Sequence, residues 1–308
     1  MGRGRDKVFF LTLLPFAAAV VAALALLAAV FVRESLPIFL REGASFITSA
    51  TWSPSTNPAK AFYGILPAIY GTLVTSAIAV GIAVPASACM AVFVNEVLPR
   101  GVREAFSSVV DVMAGMPTVV YGLWALNYLA PALQKFVMGP LHTYLGFIPL
   151  FACTPVSGYS LLSAAAILTV MVTPYTFAIV KEAYSSIPLK YREAILSIGA
   201  GRFETASTML GMIKPAVVGA ALLGVGRAAS ETVAVTLVIG NSPSLSPCLF
   251  SPGYTVSSLI ATQYGESFLY PYMLNALYAA GLILLCLGLG LSGVGTLMMR
   301  RWRGLRNA

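Results

Sequence analysis

The chain has 308 residues, 58% hydrophobic and only 10% charged, with a formal net charge of +8. Soluble domains carry about 25% charged residues, so this composition excludes a soluble enzyme and points to an all-α, polytopic membrane protein. A nucleic-acid surface is excluded as well, because the basic residues lie in short segments between apolar runs, which is a topology signal.

In chain order, a basic segment (Arg3, Arg5, Lys7) precedes the apolar run Val8–Val32. That run is too long for the roughly 7–15-residue core of a secretory signal, so it predicts a retained first membrane helix. A polar connection over Arg33–Tyr63, with Pro37, Trp52, Pro54 and Pro58, completes a first unit, 1–65. A larger unit follows over 66–299. Its second span, Leu66–Val94, is rich in small residues that allow close helix approach. A charged loop, Asn95–Ala105, leads into a third span, Phe106–Leu129, broken by Pro117. The segment 130–159 reads as a proline-rich loop, with Tyr144–Ala152 too short to span. Ser160–Val180 is a fourth span interrupted by Pro174. Lys181–Lys214 is the most charged connection, Ala216–Ile239 the fifth span, 240–271 a loop without Lys or Arg, and Tyr272–Met299 the sixth. A basic tail, 300–308, ends the chain.

Six spans put both termini on one side. The segments on that side hold fourteen of the 19 basic residues, so the positive-inside rule predicts a multi-pass plasma-membrane protein with both termini, Asn95–Ala105 and 181–214 in the cytoplasm. The external segments then contain Cys153 and Cys248, in a compartment that permits a disulfide between them. Cys89 and Cys286 fall within spans and read as small apolar residues. The single His, His142, reads as a solvated loop residue. Asp111 reads as a carboxylate near a helix N-terminus, and Tyr121 and Trp124 as packing residues. Metal-ligand spacing is absent, and no lysine follows a glycine as a phosphate-binding P-loop requires. Any ATP chemistry belongs to another chain.

Two stretches carry the mechanism. In GVGRAASETVAVTLVIGN (Gly224–Asn241), Arg227 and Glu231 sit inside an apolar run of 24 residues, Ala216–Ile239. A continuous helix would place them on one face. An ionisable residue at membrane depth costs about 2.5–3.5 kcal/mol on insertion scales, so both must face protein or water. Two readings are open: a neutralising pair that locks helices together, or a polar pathway in which Arg227 attracts an anion. In YREAILSIGAGRFETASTML (Tyr191–Leu210), a helix, a Gly199–Gly201 break and a second helix form either a docking knob for a soluble partner or a connector on the membrane surface. Ala194, Ile195 and Ile198 give the first helix a short apolar face.

Glu193-Ala194 with Gly199 six residues after the Glu resembles the EAA loop of ABC-importer permeases, which inserts into a groove on the ATPase subunit. The chain departs from that motif at Ile195 and in Pro215, which comes three residues late. AGMPTVVYGLW (Ala114–Trp124), Trp52-Ser53-Pro54, Tyr70-Gly71-Thr72-Leu73 and GRAASETVAVTLVIGN resemble the permease subunit of phosphate importers of the PstC type. Ser230 stands where that family usually has glycine, a change expected to narrow a helix contact. The resemblance implies a six-helix permease of the MetI-like class paired with a homologous permease (PstA type). It also implies two ATPase subunits (PstB type) that bind the ATP and Mg, leaving no cofactor in this chain, and an external phosphate-binding protein (PstS type). It assigns Arg227 and Glu231 to substrate passage and Glu193, Ala194 and Gly199 to ATPase coupling. The alternatives are an ABC importer of sulfate or molybdate, and a stand-alone secondary transporter.

Overall fold

In lipid the backbone must satisfy its own N–H and C=O groups, and runs this apolar do so as helices. The computed structural model describes residues 3–306 and is helical over most of that length. Met1, Gly2, Asn307 and Ala308 lie outside the described residues, as do the side chains of the basic residues at both ends. The helices are α1 (Arg3–Glu42), α2 (Ser45–Thr48), α3 (Leu66–Glu96), α4 (Arg100–Gly115), α5 (Thr118–Leu145) and α6 (Leu161–Ser185). They continue with α7 (Leu189–Ser197), α8 (Arg202–Met212), α9 (Lys214–Ser230), α10 (Val233–Val238), α11 (Val256–Gln263) and α12 (Met273–Arg306). A two-stranded antiparallel hairpin, β1 (Trp52–Ser53) and β2 (Phe62–Tyr63), sits between α2 and α3.

Four of these helices are long and apolar enough to cross a bilayer alone, and two bent pairs, α4–α5 and α8–α9, raise the count to six. The number of spans agrees with the sequence reading, but several boundaries do not. α1 continues through Arg33 and Glu34 to Glu42, so ten residues of the expected polar connection are helix. The rest is held down by Arg41, whose Nη2 donates to the carbonyls of Pro58 and Ala61 and whose guanidinium lies 4.7 Å from the Tyr272 ring centre. Tyr63 donates to the Pro271 carbonyl at 2.8 Å; burial pushes its phenol up to about 12, against the opposing pull of Arg41, so the donor proton stays in place.

The third span is also bent. α4 and α5 meet at 94° across Met116 and Pro117, and the two pass as a membrane segment only as a pair, so the expected straight span Phe106–Leu129 is a bent one that runs on to Leu145. The first half of the expected 130–159 loop is therefore helix, with π-helical turns at Ala125–Leu129 and Gln134–Met138. Hydropathy could not locate this bend, because the residues on both sides of Pro117 are equally apolar. Tyr121 staples it, its hydroxyl donating to the Met113 carbonyl at 2.7 Å. Asp111 is the twelfth of sixteen residues in α4 and exposed, so it is not at a helix N-terminus. His142 lies within 3.0 Å of the Phe151 carbonyl and is not simply solvated. Pro174 leaves α6 unbroken, and the expected 240–271 loop contains α11.

The main core lies where α3, α5, α6, α9 and α10 meet, around Ala79, Ala83, Tyr121, Leu168, Val172, Ala228 and Val235. Small residues set the spacing. Gly71 of α3 lies under the Tyr254 carbonyl, and a Cβ there would meet that oxygen at 2.0 Å. The next residue, Thr72, accepts the Val256 N–H at 2.9 Å, so this point seats the start of α11. We expect Gly71→Ala to lower stability by about 1–3 kcal/mol, the usual effect of overpacking against backbone. Gly81→Ala, with nothing within 4 Å of the added carbon, should not destabilise. Thermal unfolding of the two variants in detergent distinguishes them; equal midpoints would refute the packing assignment.

Candidate functional site

The run that carries Arg227 and Glu231 is not one helix. α9 stops at Ser230, Glu231 is extended (φ −69, ψ 124), and a short helix, α10, resumes at Val233. Three adjacent side chains account for the stop, since each offers the backbone a local alternative to the helix ladder. Ser230 Oγ donates to the Arg227 carbonyl at 3.2 Å, and Thr232 Oγ1 to the Ser230 carbonyl at 3.3 Å. Glu231 Oε1 accepts the Ala234 N–H at 3.3 Å. From α11, Ser257 Oγ donates to the Ala229 carbonyl at 3.0 Å, satisfying one of the carbonyls left free at the helix end.

The break changes the electrostatics expected from sequence. Arg227 and Glu231 do not share a helical face, and no ion pair joins them among the described residues. Each is matched to a helix end instead. Arg227 is in the last turn of α9, where a cation is favoured, and the Glu231 carboxylate caps the first turn of α10, where an anion is favoured. Glu231 is buried, Arg227 is half-buried and Ser230 is exposed. Ser230 therefore narrows no helix contact within this chain. The guanidinium keeps its planar fork of donors without a carboxylate to occupy it, a geometry that suits an oxyanion. α9 alone has 17 residues, about 25 Å of helix, short of the roughly 30 Å hydrocarbon layer. α10 follows the break, packing at its Ala234 against Gly122 of α5, where a Cβ would lie 2.9 Å from the Ala234 Cα. Two separately recognised motifs, Ala114–Trp124 and Gly224–Asn241, thus meet at this contact.

The second region folds as helix, glycine and helix. Gly199 has φ +84, a conformation that favours glycine, whereas Gly201 takes an ordinary φ of −73 and donates its N–H to the Glu204 carboxylate at the start of α8. Glu193, Ala194 and Gly199 are exposed together. The short apolar face is split: Ile195 packs inward beside Tyr184 and Met209, while Ala194 and Ile198 point outward. Ile198 and Phe203 are 83% and 84% exposed, so this end of the molecule presents apolar side chains. Pro215 occupies the first turn of α9, where a missing N–H costs nothing. Sequence reasoning missed Glu96, which ties this region to α3; its only signal was a carboxylate at the end of an apolar span.

Among the described residues no group of His, Cys, Asp or Glu could hold a metal ion. Cys153 and Cys248 are joined as a disulfide with Cα atoms 6.2 Å apart, bracing the segment before α6 against the one after α10.

A chain with four to six candidate membrane helices, and with Arg227 and Glu231 beside a break between two helices, fits a transport permease. The chain belongs to the binding-protein-dependent transport system inner membrane component family, whose model matches residues 83–304. It is 44% identical to the probable phosphate transport system permease protein PstC of Methanocaldococcus jannaschii, covering 88% of this chain and 86% of that one. It is 38% identical to the PstC of Xylella fastidiosa over 76% of this chain and 72% of the relative. A chain of the crystal structure of a bacterial alginate ABC transporter, in complex with an alginate pentasaccharide-bound periplasmic protein, shares the fold. Its TM-score is 0.66 with 15% identity, over 97% of this chain and 96% of that one.

Proposed function

We infer that the chain is the membrane-spanning permease subunit of an ATP-driven importer of inorganic phosphate. The observation that carries this reading is Arg227, a guanidinium at a helix break with no carboxylate partner among the described residues, in a chain 44% identical to a probable phosphate permease. Phosphate is a tetrahedral oxyanion that a planar fork of donors recognises bidentately. Glu231, close in sequence but engaged at the start of α10, keeps the local field from becoming strong enough to trap the ion. The permease catalyses no covalent step. ATP and Mg are bound by two ATPase subunits, one of which seats on Glu193, Ala194 and Gly199 of this chain. A homologous permease completes the path, and an external binding protein delivers the phosphate. By the positive-inside rule, both termini and the 181–214 connection face the cytoplasm in this reading.

Sulfate or molybdate is the competing substrate, since both are tetrahedral oxyanions. The discriminating experiment reconstitutes the complex with its ATPase, partner permease and binding protein in liposomes and supplies each anion in turn. Phosphate is expected to stimulate ATP hydrolysis and to accumulate, with sulfate and molybdate near the anion-free rate. Stimulation by sulfate alone would assign the other substrate, and uptake without an ATPase subunit would make this a secondary transporter.

A further inference from the structure

Glu96 ends α3, where the helix dipole disfavours a carboxylate, so its place is not explained by the stability of its own helix. Its side chain is 8% exposed and has two partners. Oε2 accepts Arg192 Nη2 of α7 at 2.6 Å, and Oε1 accepts the Tyr184 hydroxyl of α6 at 3.0 Å. The Glu96 carbonyl also accepts Arg202 Nη2 of α8 at 3.4 Å. From α4, Arg103 donates to the carbonyls of Val94 and Asn95. The end of α3 is therefore the junction of α4, α6, α7 and α8. Further along, Val80 of α3 and Val172 and Thr176 of α6 close on Gly224 of α9, three residues before Arg227. The Glu96–Arg192 pair borders an open cavity of about 360 Å³ that Leu189 of α7 also lines.

We propose that Glu96 is a positioning residue: it fixes α7 against α3 and α6 and so transmits displacement of Leu189–Gly199 to the helices that grip α9. The proposal rests on the docking of that segment on an ATPase subunit. A neutral Gln at position 96 retains the size and the hydrogen bond but loses the ionic attraction. In the full complex in liposomes, Glu96→Gln should assemble and hydrolyse ATP at the basal rate. Phosphate moved per ATP should fall about five- to tenfold, the scale of a pair intermediate between exposed and buried. Arg192→Lys retains the charge and should recover most of that ratio. A parental ratio in Glu96→Gln overturns the proposal, as does a loss that Arg192→Lys reproduces in full. If Glu96→Gln assembles poorly, the exchange Glu96→Arg with Arg192→Glu decides: restored coupling supports the proposal, and an assembled but uncoupled complex overturns it. Failure of the docking reading itself has a different signature, absence of bound ATPase from the parental complex, and overturns both.

Discussion

Arg227→Gln is expected to cut phosphate uptake by roughly 10- to 100-fold while the complex still assembles, the scale of one lost charge-assisted contact. Gln retains hydrogen-bonding capacity and removes only the charge and the fork. Arg227→Lys should restore part of the rate, since an ammonium keeps the charge without the planar geometry. Glu231→Gln should behave differently, because a Gln carbonyl can still accept the Ala234 N–H and cap α10. With the negative charge gone, the anion is held more tightly, so half-saturation should fall together with maximal uptake. The double variant separates this from a purely structural role. If the two charges formed a staple, removing both would restore what removing one destroys. They make no such pair here, so the double variant should be no better than Arg227→Gln. A double variant transporting at the parental rate would remove Arg227 from the pathway.

The second large effect is expected at the coupling segment. Gly199→Pro demands φ near −65° where the chain has +84, so the turn between α7 and α8 cannot form as it stands. Glu193→Lys reverses an exposed charge without touching the fold. Both variants should insert in the membrane yet leave ATP hydrolysis indifferent to substrate. Gly199→Ala is the graded control, since an L-residue in the left-handed region costs about 1–2 kcal/mol. Measured ATPase stimulation by phosphate and binding protein tests this. Normal stimulation in both Gly199→Pro and Glu193→Lys would mean the segment does not dock.

Several features of the architecture were legible in the residues alone. Apolar runs long enough to cross a bilayer set the number and order of the spans, and the helix–glycine–helix of 181–214 was readable from Gly199 and its flanks. Arg227 and Glu231 stood out because charge is costly in lipid wherever the helix bends. What hydropathy cannot carry is direction. The 94° bend at Pro117 lies inside what a count of apolar residues reads as one straight span, Phe106–Leu129. A count of apolar residues likewise passes straight through Ser230–Thr232, although their side chains compete with the helix backbone there.

The tertiary structure decided the remaining features, because their partners are distant in sequence. Ser257 reaches back 28 residues to the end of α9, and Arg192 reaches 96 residues to Glu96. Composition and spacing placed two charges inside an apolar run and a helix–glycine–helix motif in the charged connection before it. Only packing turned the charges toward opposite helix ends and tied the motif to α3, since both outcomes depend on groups that the chain brings together only when it folds.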